Sequence, residues 1–132
     1  DTSTKYEIRW YEQKDIGQFY GQWFSHALMP QFHPQHPDVL AVCAIDKGEI
    51  VGMAACQADT DMMWQIGVDV KKEYRGKRIG TVLSALLKEE ILRRGKIPYY
   101  GTLEANIYSQ RIAYEIGFYP SWIECRMLKK VK

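Results

Sequence analysis

"VDVKKEYRGKRIGTVLSALL", residues 68–87, runs from a strand-like apolar end through a basic, glycine-containing loop into apolar residues at helical spacing. Ile79, Val82, Leu83, Leu86, Leu87 and Ile91 fall at i, i+3, i+4, i+7, i+8 and i+12, which predicts one amphipathic helix. Arg93 and Arg94 suit its last turn, and Gly95 takes the C-capping position. Lys71, Lys72, Arg75, Lys77 and Arg78 crowd the loop ahead of it. A helix N-terminus presents unpaired N–H groups and roughly half a positive charge, and glycine lets an anion approach the backbone. Gly76 and Gly80 mark this helix start, and two readings stay open. The loop is a solvated basic turn, or it cradles a phosphate with Arg75, Lys77 and Arg78 as cationic partners. The familiar phosphate loops do not fit: Gly76 and Gly80 are one residue too close for GxxxxGK[ST], no lysine separates Gly80 from Thr81, and GxGxxG is absent.

Upstream, "MMWQIGVDV" (62–70) reads as a strand, preceded by "VLAVCAID" (39–46) and "EIVGMAACQA" (49–58), which are joined by the hairpin-forming "DKGE". These form an antiparallel meander. "YEIRWYEQ" (6–13) is strand-like, and "KDIGQFYGQWFSHAL" (14–28) spaces Ile16, Phe19, Tyr20, Trp23, Phe24 and Ala27 as one amphipathic helix, with Asp15 as its N-cap. Pro30, Pro34 and Pro37 make the next segment a rigid loop. Downstream, "IPYYGTLE" (97–104) is a buried strand, "NIYSQRIAYEIG" (106–117) a shorter helix and "FYPSWIECRMLKK" a closing strand. The strand–helix–strand passage from 62 to 104 implies a right-handed crossover and parallel pairing. The expected fold is α+β of the three-layer α/β/α type: a mixed, mostly antiparallel sheet with flanking helices.

A chain of 132 residues with 46% apolar and 26% charged residues fits one globular domain spanning 1–132. It begins without methionine, as a processed product or a domain cut from a longer polypeptide would. Without a long apolar run or an apolar signal core, the expectation is a cytoplasmic protein without a membrane partner. Cys43, Cys56 and Cys125 form no CxxC pair and read as buried thiols. The aromatic residues Trp10, Tyr20, Trp23, Phe24 and Trp64 read mainly as core.

"VDVKKEYRGKRIGTVLSALL" resembles the acyl-CoA binding motif of the GNAT superfamily of N-acetyltransferases, in which a strand ending in valine leads through an arginine-rich R-x-x-G-x-G/A loop into a long helix. "NIYSQRIAYEIGF" (106–118) is similar to the family's later N-x-x-[AS] helix ending in Gly-Phe. Together the two motifs cover about residues 40–120. The resemblance implies acetyl-CoA as cofactor and CoA as product. The backbone from Val68 to Val70 would pair with the pantetheine arm, and Arg75, Gly76, Lys77, Arg78, Ile79, Gly80 and Thr81 would wrap the pyrophosphate. Asn106 and Ser109 stand where the family contacts the cofactor arm. The sequence departs from the motif at Arg78, where the family has its first glycine, so this position needs a backbone conformation that an arginine tolerates. The family's tyrosine seven residues after the asparagine, which protonates the departing thiolate, is here Ala113; the role is carried to Tyr114, about 100° away around a helix.

Acyl transfer to nitrogen needs a neutral amine, a donor for the developing oxyanion and a proton for the thiolate. Backbone N–H groups near Ile66 to Val68 are the natural oxyanion donors if the strand bulges at Gly67. Asp69 alternates to the face opposite Val68 and Val70, which leaves Glu104 as the carboxylate candidate for a base; its alternative is a surface residue at a strand end. The family builds its acceptor site partly from the segment after its first helix, which places His33, His36 and Trp23 there as substrate-binding candidates, with His26 just before. Histidines on a proline-rich loop with no accompanying carboxylate do not make a metal site, and none is expected. The implied activity is acetyl-CoA-dependent N-acetylation of a small-molecule or peptide amine by direct attack on the thioester. The alternative is an acyl-CoA-binding module of the same fold with little catalysis, regulating a neighbouring domain. Nucleic-acid binding through 71–78 would show steep salt dependence without competition by CoA; no helix carries a basic face, so no nucleic-acid partner is expected. Oligomeric state is not legible in the sequence.

Overall fold

The computed structural model describes residues 4–100. Five strands form one sheet in the order β1 (Glu7–Glu12), β2 (Asp38–Asp46), β3 (Glu49–Ala58), β4 (Met63–Val70) and β5 (Ile97–Tyr100). The first four pair antiparallel, and β5 joins β4 in parallel through helix α2 (Ile79–Arg93). This is the expected mixed, mostly antiparallel sheet with helical layers.

The two central strands are apolar almost throughout because both of their faces are covered. On one face, Leu40, Val42, Ala54, Cys56, Ile66, Val68 and Val70 meet Ile79, Leu83, Leu87 and Ile91 of α2. On the other, Ala41, Cys43, Ile45, Met53 and Ala55 lie under Ile16, Phe19, Phe24, Ala27 and Leu28. Cys43 and Cys56 are free, buried thiols, and burial pushes the Cys43 thiol up to about 12. The β2–β3 hairpin turns through Lys47 (φ 54°) and Gly48 (φ 80°), both left-handed, as a twist-matched two-residue turn requires. α2 ends in a Schellman motif: Lys96 N–H donates to Ile91 O (3.1 Å) and Gly95 N–H to Leu92 O (2.9 Å), with Gly95 at φ 79°.

The helix expected over 14–28 is not continuous. α1 spans Gln13–Ile16, a 3-10 turn follows at Gly17–Phe19, and Tyr20 is already extended. Gly21 at φ +85° leaves the helical region altogether. The apolar stripe is real, but packing rather than helix uses it: edge-to-face contacts link Tyr11 to Phe19 (4.9 Å) and Phe19 to Phe24 (5.7 Å). Asp15 is not the N-cap, since the helix starts earlier and Glu12 takes that position. Trp10 also departs from its core assignment, being 40% exposed. Asp38, only 1% exposed, ties this layer to β2 by accepting from the Tyr20 hydroxyl (2.8 Å) and Met29 N–H (3.1 Å). Burial raises the Asp38 carboxyl above its ordinary range.

The helix at 106–117, the closing strand, residues 101–104 of the expected fifth strand and Cys125 lie outside the described residues.

Candidate functional site

The site begins where β4 runs out. Lys71 N–H donates to Val51 O (2.9 Å), and a 3-10 turn over Lys72–Tyr74 redirects the chain towards α2. Tyr74 pins that turn to the opposite hairpin: its hydroxyl donates to Asp46 Oδ2 (2.7 Å), and its ring meets Tyr6 edge-on at 6.0 Å. The bond to Asp46 pushes the Tyr74 phenol up to about 12, so it stays protonated at neutral pH. Arg75 Nε donates to Val70 O (3.3 Å), folding its guanidinium back over the end of β4.

Gly76 (φ 82°) and Arg78 (φ 64°, ψ 16°) then both take left-handed backbone, and Arg78 occupies the N-cap of α2. This arginine stands at a glycine position of the motif the loop resembles, and its backbone keeps the conformation glycine adopts most easily. Gly80 lies within the first turn, not ahead of it. No side chain at the N-cap accepts from the first-turn N–H groups, and that turn holds no acidic residue. Arg75, Lys77 and Arg78 are exposed around it, while Ile79, Gly80 and Thr81 are buried. Cations at the positive end of an uncapped helix repel the helix dipole, an arrangement that an anion reverses.

Gly52 seats this helix end close to the sheet. A Cβ added there would stand 2.7 Å from Ile79 Cγ2 and 3.2 Å from Leu83 Cδ1. The side chains of Val68 and Val70 are buried beneath α2, and on one side their backbone runs alongside Ala54 and Gly52 of β3. Among the described residues, the parallel β4–β5 ladder runs from Met63–Ile97 to Ile66–Tyr100.

Gly67 corrects one expectation. The β3–β4 register stays in step from Gly52–Val70 to Ala58–Trp64, so the strand does not bulge there. The glycine instead admits a crossing chain, because an added Cβ would lie 2.0 Å from the His26 carbonyl oxygen. Two residues on, Asp69 anchors that chain. Its Oδ2 accepts from the N–H groups of His26 and Ala27 (2.7 Å each), and its Oδ1 lies 2.9 Å from His26 Nδ1.

Above Asp69 opens a cleft of about 390 Å³, lined by Trp23, Ser25, His26, Asp69, Val70 and the basic turn from Lys71 to Arg75. Lys71 Nζ sits 5.9 Å from the centre of the Trp23 ring. Trp23, a substrate-binding candidate, thus shares this cleft with the cofactor-binding candidates Val70 and Arg75. His33 and His36 do not: they belong to the loop that leads into β2, beside the β3–β4 turn. There His33 Nδ1 accepts from the N–H groups of Gln35 and His36 (3.2 Å each), and His36 Nδ1 lies 3.4 Å from Asp59 Oδ1. Glu104, Asn106, Ser109 and Tyr114 lie outside the described residues. The His26–Asp69 pair is what sequence reasoning missed. Alternation placed Asp69 on the correct face, but a partner 43 residues away leaves no local signal.

A family model described as the acetyltransferase (GNAT) family matches residues 6–118. Among solved structures, the chain is similar to a GCN5-related N-acetyltransferase-like protein from Streptococcus suis, at 21% identity and TM-score 0.71, over 89% of this chain and 47% of that one. It is similar also to AAC(6')-Iy, solved in complex with the bisubstrate analogue CoA-S-monomethyl-acetylneamine, at 18% identity and TM-score 0.62, covering 88% of this chain and 92% of the other. A third is an IAA acetyltransferase from Bacillus cereus, at 16% identity and TM-score 0.63, covering 84% and 75%. At these identities the likeness is one of fold. The chain spans about half the length of the Streptococcus suis protein, and no curated protein matches it.

Proposed function

Because this chain belongs to the acetyltransferase (GNAT) family, we propose that it binds acetyl-CoA through residues 75–81 and transfers the acetyl group to the amine of a small molecule or peptide. The observation that carries the reading is the start of α2. It is an uncapped helix N-terminus with no acidic residue in its first turn, flanked by exposed Arg75, Lys77 and Arg78 and reached through left-handed Gly76 and Arg78. Those features fit a pyrophosphate. The backbone N–H groups from Ile79 to Thr81 point along the helix axis towards it, and the three cations neutralise its charge. Val68 and Val70, with side chains turned into the core, offer β4 backbone to an amide-bearing arm. When bound, acetyl-CoA supplies the acetyl group as an activated thioester.

The acceptor belongs in the cleft beside this loop, against Trp23 and His26. Aminoglycoside and IAA acetyltransferases share the fold, and chemistry this varied on one scaffold makes the cleft, not the fold, the determinant of the acceptor. A thiol-release assay with acetyl-CoA and a panel of small-molecule and peptide amines tests the proposal. It predicts amine-dependent release of one thiol per acetylated product. CoA binding without release on any amine would instead leave an acyl-CoA-binding module of the same fold.

A further inference from the structure

The geometry points to His26 as the general base of this transfer, with Asp69 as the residue that positions it; the inference rests on the acetyltransferase reading above. Three observations converge. First, the His26 backbone lies directly on Gly67, on the stretch of β4 beside which the acetyl group would sit. Second, Asp69 is fixed by two backbone N–H donors and has its remaining oxygen on His26 Nδ1 at 2.9 Å. Third, the Asp69 side chain is only 11% exposed while that of His26 is 58% exposed and lines the cleft.

A carboxylate that accepts from Nδ1–H fixes the tautomer with its lone pair on Nε2. Nε2 is the ring atom directed away from Asp69, and imidazole is the side chain whose ordinary titration lies nearest neutral pH. In the step proposed, the acceptor ammonium gives one proton to His26 Nε2, and the freed nitrogen attacks the thioester carbonyl carbon. The C–N bond forms as the C–S bond breaks with its electron pair on sulfur. A second N–H proton ends on that thiolate, and the imidazolium returns its proton to water.

The charged groups facing His26 are Asp69 on β4 and Lys71, Lys72, Glu73 and Arg75 on the turn; Trp23 and Ser25 flank it on its own segment. Of these, Asp69 alone meets the ring nitrogen, so replacing its carboxylate acts directly on the base. Asp69→Asn keeps the shape. Its oxygen can still serve the two backbone donors while its NH2 faces Nδ1, which moves the ring proton to Nε2 and blocks the lone pair.

The test compares wild type, His26→Gln and Asp69→Asn by three readouts: CoA affinity by calorimetry, kcat/KM against pH for an amine that turns over, and imidazole 15N shifts of the protein without ligand. His26→Gln is expected to lower kcat about 100-fold at neutral pH and to abolish the acidic limb of the profile, with CoA affinity within about twofold of wild type. Asp69→Asn should lower kcat by a similar factor, and its 15N shifts should report the Nε2–H tautomer where wild type shows Nδ1–H. A wild-type pH profile in His26→Gln, or lost CoA affinity with kcat unchanged, would overturn the assignment, as would wild-type 15N shifts that report the Nε2–H tautomer. Failure of the acetyltransferase reading shows separately, as a wild-type protein that gives no CoA binding heat or that binds CoA and turns over no amine.

Discussion

Ile79 Cγ2 lies 2.7 Å from where a Cβ on Gly52 would stand, so the first residue of α2 rests on bare backbone of β3. That contact sets the height of the helix N-terminus above the sheet. Gly52→Ala forces Ile79 and Leu83 outward, and overpacking of this kind costs about 1–3 kcal/mol. Chemical denaturation should show the loss. CoA affinity should fall as well, because the first-turn N–H groups move with Ile79.

Arg78 holds left-handed backbone that costs a side chain of ordinary chirality about 1–2 kcal/mol. Arg78→Gly removes both strain and side chain, whereas Arg78→Ala removes the charged side chain and keeps the strain. The glycine variant should therefore be more stable than the alanine variant by about 1 kcal/mol in denaturant. Both should weaken CoA binding alike, and salt should weaken their binding less steeply than it weakens wild type.

Glu90 receives Arg93 and Arg94 side-chain bonds, and Arg94 reaches on to Glu12 of β1 at 2.8 Å. The Arg93 bond, followed by that of Arg94, holds the Glu90 carboxyl down at about 2 from 4.5. A depressed carboxylate contributes stability that is present above the unfolded value and lost as pH falls through the folded one. The gap in thermal midpoint between wild type and Glu90→Gln should therefore be constant at neutral pH and close between about pH 4.5 and about pH 2.

Tyr20 donates to the buried Asp38 carboxylate, whose titration burial raises. Tyr20→Phe takes away that donor and costs about 1–3 kcal/mol. Because the folded carboxyl prefers its proton, the cost is greatest where Asp38 is ionised and shrinks as pH falls through its raised titration. Urea midpoints at neutral and acid pH check this.

Where local chemistry dictates structure, the sequence was a good guide. The apolar period of α2, the Gly95 stop, the Lys47–Gly48 turn and the alternation of β4 each follow from a few neighbouring residues, and each is found in place. The segment from Asp15 to Leu28 misled because its stripe of apolar residues serves packing on β2 and β3, while Gly21 breaks the helix that the period alone suggests. Gly67 misled for a related reason: a strand glycine signals either a bulge or a close approach, and the approaching chain is 41 residues away. The same separation hid His26 from Asp69. The basic loop was legible as an anion site in outline, and the left-handed, uncapped geometry at Arg78 needed the structure.

The most direct test is a titration of 15N-labelled protein with CoA, followed residue by residue through its amide shifts. The account predicts that the largest changes fall on residues 76–81 and on the β4 backbone from Ile66 to Val70. Saturating CoA that leaves those amides unmoved, or that shifts a different region instead, would contradict it.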